Sequence, residues 1–382
     1  MKVEPFAMER WQSTWENRVE INLSESGVEA LRVRELLADS EAAALLDSRL
    51  GYSQSNGTEE LRGAVAAFHP GAGLDNVVVT IGCAEANHLV TWSLVEPGDE
   101  VVMMVPNYMQ TWGLTRAFGA EVKEWRLRPD PAAGRWRADL DELGGLLGPR
   151  TRLILLSNPN NPTGSCVPAE ELDEIVRIAA GSGCWILADE VYRGSEVAGG
   201  EETASMWGRY DRLLVTGGLS KAYGLPGLRI GWVVGPAEKV ASFWGLSDYT
   251  TIGPAALSDR LATLALRPER RRRLLERTRG RLATNLPILT RWLDELGDEV
   301  GYLRPQAGAI LYLWYRHRIN STKLVERLRA EKDVLVVAGD HFGMDGHLRI
   351  GYGYGTEHLR EGLARIAEVL GSVELREPAY MK

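Results

Sequence analysis

Thr-Gly-Gly-Leu-Ser-Lys-Ala-Tyr-Gly-Leu-Pro-Gly-Leu-Arg-Ile-Gly-Trp, residues 216–232, is the stretch from which the rest of the chain is read. It sets Lys221 among small residues and follows it eight positions later with Arg229. The run 211–216 is apolar and strand-like, so Lys221 sits just past a strand, and Gly217-Gly218 lets the backbone turn close to a ligand. Gly224, Pro226 and Gly227 punctuate a tight excursion, after which Arg229 leads into a second buried strand over 230–234. Two strands then hold two cations rigidly, which suits an aldehyde bearing a phosphate. An amine in a dry pocket beside other cations loses proton affinity and attacks carbonyls, so Lys221 is expected to be a Schiff-base lysine of lowered basicity. A solvated loop lysine is the plain alternative.

The remainder of the chain bears on that choice. Its 382 residues, 45% hydrophobic and 25% charged, allow a large core and two to three domains. A net charge of -8 and a pI near 5.5 exclude a general polyanion partner, so no nucleic acid is expected and the substrate should be small. The one basic run, 267–273, carries glutamates at 269 and 276 and reads as a solvated helix face. Cys83, Cys166 and Cys184 share no CxxC spacing and are odd in number, against a disulfide framework or a zinc site. The histidines lack a metal-ligand motif, so no metal is expected. No apolar stretch approaches membrane length and the first residues have no signal-peptide core, so the expectation is a cytoplasmic protein without membrane contact.

Strand and helix alternate over the first two thirds of the chain: strands over 77–80, 100–105, 120–125, 152–157 and 185–188, with helices between them. That pattern indicates a doubly covered, mostly parallel sheet. Gly82 to Ala86 turn directly from strand into helix, so the free amides of Cys83 and Ala84 offer an anion site. Asp189 closes a buried strand, where a carboxylate is costly without a partner. Arg349 lies in the last strand between apolar neighbours, and planar recognition of a carboxylate explains such an arginine. From residue 308 on, three strands and two helices make a smaller α+β unit.

The segment SKAYGLPGLRIGW resembles the cofactor-lysine signature of pyridoxal-phosphate enzymes of the aspartate aminotransferase type, fold type I, class I/II. NPNNPTG at 158–164, ADEVYRG at 188–194 and HLRIGYG at 347–353 match in order, so the likeness covers nearly the whole chain. It implies an α/β fold: a large domain, 37–265, with a mostly parallel seven-stranded-type sheet covered by helices, and a smaller α+β domain built from both chain ends, 1–36 and 266–382. The cofactor is expected to be pyridoxal 5'-phosphate, with Lys221, Asp189 and Tyr192 catalytic. By the resemblance Asp189 pairs with the ring nitrogen, while Asn161 and Tyr192 bond the phenolic oxygen. Tyr108 stacks on the ring, and Cys83, Ala84, Ser220 and Arg229 hold the phosphate. Tyr52 matches a tyrosine that crosses a dimer interface, which implies a homodimer with composite sites. Arg349, Asn161, Gly27 and Val28 are expected to contact an α-amino acid substrate.

Two departures concern the reaction. Where relatives often carry Gly-x-Pro in the loop that closes over substrate, this chain has Ser26-Gly27-Val28, which resembles antibiotic-pathway relatives of the capreomycidine synthase type. Gly218 stands where a serine is common, with Ser220 beside the lysine instead. The reading is an aminotransferase acting on an α-amino acid. The alternative is a lyase, decarboxylating or oxidatively deaminating enzyme of a specialised biosynthetic pathway on the same fold.

Overall fold

Runs of valine, isoleucine and leucine without polar alternation suit strands buried on both faces. The computed structural model describes residues 3–197 and 201–375. Its strands in chain order are β1 (Ile21–Asn22), β2 (Val77–Ile81), β3 (Glu100–Val105), β4 (Glu121–Asp130), β5 (Arg135–Ala138), β6 (Thr151–Ser157), β7 (Trp185–Asp189), β8 (Leu213–Gly218), β9 (Ile230–Val234), β10 (Val300–Tyr302), β11 (Ile310–Tyr315), β12 (Val334–Leu335), β13 (Val337–Ala338) and β14 (His347–Gly351).

The large sheet has the order β2-β9-β8-β7-β6-β3-β4-β5. Its central ladder from β8 through β7, β6 and β3 to β4 is parallel, while β9 runs against both β2 and β8. An eighth strand joins the seven expected: β5 folds back on β4 as an antiparallel hairpin and buries Trp136. The helix that follows the 158–164 loop spans Ala169–Ser182, with Pro168 as its N-cap and Gly183 closing it in the left-handed conformation.

The smaller sheet is antiparallel, ordered β10-β11-β14-β13. Residues 334–338 carry two short strands with different partners: β12 pairs in parallel with β1, whereas β13 pairs with β14. The N-terminal arm is therefore tied to the far end of the chain. Ile21, Leu23 and Val28 pack in the core of the smaller sheet, and Met8 and Leu36 in that of the larger. The helix Pro268–Glu295 likewise gives Leu274 and Leu275 to the larger core and Leu282, Leu286 and Leu289 to the smaller. These two bridging segments bring residues 8–27 over the carboxyl ends of the central strands.

Candidate active site

Parallel strands expose their carboxyl ends at one edge, and the crevice there collects the loops. In this fold a cavity of about 410 Å³ opens at that edge. Cys83, Ala84, Tyr108, Asn161, Asp189, Tyr192, Ser220, Lys221 and Arg229 all line it, from segments far apart in sequence.

Asp189 ends β7 and is 7% exposed. It accepts from Asn87 Nδ2 at 2.9 Å, Val191 N at 3.1 Å and the Cys83 thiol at 3.5 Å. All three donors are neutral, and burial outweighs them to push the Asp189 carboxyl above its ordinary range. Burial, and then Asp189 itself, raise the Cys83 thiol well above normal, so it remains a protonated donor. Thr216 on β8 fixes Asn87 through a 2.8 Å bond to Oδ1, which leaves the amide's donors for Asp189.

At the other end of the cavity the helix Gly82–Leu94 begins directly after β2, leaving the first-turn N–H groups free. Gly82 takes φ 75°, and a Cβ there would lie 2.5 Å from Arg229 Nη2. A Cβ on Gly231 would lie 2.4 Å from Cys83 N, and one on Gly218 would lie 3.0 Å from the Ile230 carbonyl. Only glycines let the three backbone segments meet here. Arg229 itself adopts φ 52° and approaches Ser220 Oγ at 3.4 Å.

Lys221 departs from the expectation. Its Nζ donates to Glu25 Oε1 at 2.7 Å. Burial disfavours the ammonium, but Glu25 and Tyr192 together outweigh it and raise the lysine pKa instead of lowering it. Burial likewise works against the Glu25 carboxylate, yet Lys221, the Gly27 amide and Arg349 hold it at about 2. The lowered basicity read from neighbouring cations is thus corrected, because the nearest charge is an anion supplied by the N-terminal arm.

The remaining expected residues are placed unevenly. Tyr192 donates to Ser26 Oγ at 2.8 Å, and burial raises its phenol. Tyr108 donates to Glu9 Oε1 at 2.9 Å. Gly27 lies against Lys221, where a Cβ would meet Lys221 Cδ at 3.4 Å and Ser220 O at 3.2 Å. Val28, in contrast, is a core residue, 3% exposed, and does not line the cavity. Arg349 is 1% exposed and lies behind the lining: its Nη1 donates to Asn161 Oδ1 at 2.9 Å and its Nη2 to the Ser24 carbonyl at 2.6 Å. Tyr52 is 99% exposed and away from the cavity of its own chain. Sequence reasoning passed over Asn87, Gln12, Glu16 and Glu25. For Glu25 a signal existed, a carboxylate directly before the atypical loop Ser26-Gly27-Val28; for Asn87 none did.

The profile of the family Aminotransferase class I and II matches residues 20–366. The chain belongs to the class I and II aminotransferases. This aminotransferase is 35% identical over 319 residues to capreomycidine synthase of Streptomyces vinaceus, covering 83% of this chain and 80% of that protein. It is 32% identical over 347 residues to an arginine–pyruvate transaminase of Pseudomonas aeruginosa, covering 86% and 85%. A solved pyridoxal-phosphate-dependent aminotransferase from Streptococcus suis superposes with a TM-score of 0.90 at 31% identity, covering 99% of this chain and 100% of that one.

Enzymes of this family use pyridoxal phosphate, and the aminotransferase cavity fits it on its own chemistry. Asp189 is a buried acid with no cation partner among the described residues, which a protonated ring nitrogen would supply. Asn161 Nδ2 has no acceptor among the described residues, because its Oδ1 alone is engaged, by Arg349. The glycine-lined turn, its free amides and Arg229 form an anion cradle. Among the described residues no helix is long and apolar enough to cross a membrane, and no cluster of side chains is suited to a metal.

Proposed function

We propose that the enzyme transfers the amino group of an α-amino acid, with Lys221 as the residue that carries the cofactor and moves the proton at the substrate Cα. The convergence of Lys221, Asp189 and the Arg229 cradle on one cavity carries this reading. Pyridoxal phosphate supplies the electron sink for the bonding pair left at Cα. Asp189 keeps the ring nitrogen charged, Asn161 Nδ2 and Tyr192 hold the phenolic oxygen, and Tyr108 covers the ring. Arg229, Ser220 and the amides of Cys83 and Ala84 hold the phosphate. Positioned proton transfer by Lys221 contributes roughly 10²–10⁴ in rate.

Arg349 binds the substrate α-carboxylate. Its Nε lacks a partner among the described residues, and carboxylate binding exchanges the Ser24 carbonyl for a charged acceptor. Gly27 gives the substrate room beside Lys221. Two copies form the working unit: Tyr52, exposed here, reaches the partner's phosphate. The large domain spans 37–265 and the small one 1–36 with 266–382. Three free cysteines accord with a cytoplasmic enzyme.

Likeness to capreomycidine synthase, together with the Ser26-Gly27-Val28 loop, is compatible with the second reading, a lyase, decarboxylating or oxidatively deaminating reaction of a specialised pathway. Mixing the holoenzyme with a panel of amino acids and no acceptor separates the two. Amino transfer stops after one oxo acid per site. Continued release of ammonia or carbon dioxide over many turnovers overturns it in favour of the second reading.

A further inference from the structure

The helix Ala7–Trp15 presents residues 9, 12 and 16 on one face, and Glu9, Gln12 and Glu16 all line the cavity, with Glu25 from the strand-like run that follows. Gln12 is 8% exposed. Its Nε2 donates to the Ser24 carbonyl at 2.9 Å and to Ser24 Oγ at 3.2 Å. A carbonyl only accepts, so the amide's orientation is fixed and Oε1 is left as an acceptor that no donor among the described residues reaches. The Glu16 carboxylate has no hydrogen-bonding or ionic partner among the described residues. Glu25 Oε1 accepts from Ser26 N, Gly27 N and Lys221 Nζ, while Oε2 is unpartnered among them.

We infer that this arm reads the far end of the substrate, an α-amino acid whose side chain ends in a guanidinium seated on Gln12 Oε1, Glu16 and Glu25. The inference rests on the amino-acid reading above and names the substrate class for that site. The three groups that seat it are acceptors, two of them carboxylates, and buried acceptors left unpaired by a neutral side chain are penalised. Once Lys221 is committed to the cofactor, Glu25 loses the one cation it bonds directly, and a partly buried carboxylate deprived of its bonded countercharge is unfavourable. Burial, followed by Glu25 and Glu9, already raises the Glu16 carboxyl, which marks negative charge in excess of its compensation. A guanidinium spreads five N–H donors over a plane and meets acceptors on separate side chains, whereas an ammonium concentrates its donors at a point.

The test compares L-arginine, L-citrulline, L-ornithine and L-norleucine on the holoenzyme and on its Glu16→Gln variant. Glu16 has no partner in the protein to lose. The fast absorbance change on mixing, titrated for each amino acid, gives a Kd for binding before product forms, and oxo acid release is measured separately. Arginine should bind at least about tenfold more tightly than citrulline, its neutral isostere. Glu16→Gln should shrink that ratio several-fold. Citrulline or norleucine binding as well as arginine, or Glu16→Gln weakening all four alike, overturns the inference; ornithine binding more tightly than arginine overturns the guanidinium. Arginine preference without oxo acid release would overturn amino transfer and leave the specificity standing. Equal oxo acid release from all four does the reverse.

Discussion

Replacing Lys221 by alanine strands Glu25. In the folded chain that carboxyl is held at about 2 against an ordinary 4.5, despite burial, a difference that corresponds to about 3 kcal/mol near neutral pH. The Ser26 and Gly27 amides and Arg349 remain in the variant and keep part of this, so the share lost with the ammonium is about 2 kcal/mol. Both side chains of the pair are about a quarter exposed, at 25% and 23%, so solvent screens the contact only modestly. For a chain this long that loss lowers the melting temperature of cofactor-free protein by about 2–4 °C. Glu25→Gln on the Lys221→Ala background should restore part of it, because the orphaned charge is gone. The pH dependence follows from the two directions. Glu25 is depressed, so its contribution is complete above its unfolded pKa and is lost as pH falls toward its folded value. Lys221 is raised, so its contribution is complete below the ordinary lysine pKa and is lost as pH rises through its higher folded value. The gap between wild type and Lys221→Ala should therefore be flat from about pH 5 to about pH 10 and narrow below that. Differential scanning calorimetry of the wild type, both single variants and the double variant, at fixed protein concentration, gives the coupling. Additive effects, with no recovery in the double variant, refute the ion pair as a stabilising contact.

Two further outcomes test the cradle and the assembly. Gly231→Ala places a methyl 2.4 Å from Cys83 N, against backbone that cannot yield, so cofactor affinity measured by equilibrium dialysis should fall by about tenfold or more, equivalent to one lost anion contact. Gly227→Ala, with nothing within 4 Å of its Cβ, is the control and should bind normally. Lys221→Ala and Tyr52→Ala chains, each weak alone, should regain activity when mixed under conditions that exchange subunits. Persistent inactivity of the mixture, or a fully active monomer by sedimentation, would remove Tyr52 from the composite site.

The sequence alone determined what depends on local pattern. Strands alternating with helices required a covered parallel sheet, Gly217-Gly218 required close backbone approach beside a lysine, and a carboxylate closing a buried strand required a partner. Each follows from covalent sterics or solvation within a few residues, so Asp189, Lys221, Arg229 and the turn at Gly82 were legible before any fold was known. Tertiary structure alone decided which charges face one another. Glu25 lies 196 residues from Lys221 in the chain, yet its carboxylate reverses the expected direction of the lysine's pKa. Asn87 reaches Asp189 across 102 residues, and Arg349 is withdrawn behind Asn161 across 188. Val28, next to a glycine that touches Lys221, turns into the core. Pairing of β1 with β12 ties the arm that carries Glu25 and Val28 to the smaller sheet, while the order of the large sheet brings Asn87 to Asp189; Coulomb and hydrogen-bond energies depend on separation in space, on which a linear sequence is silent.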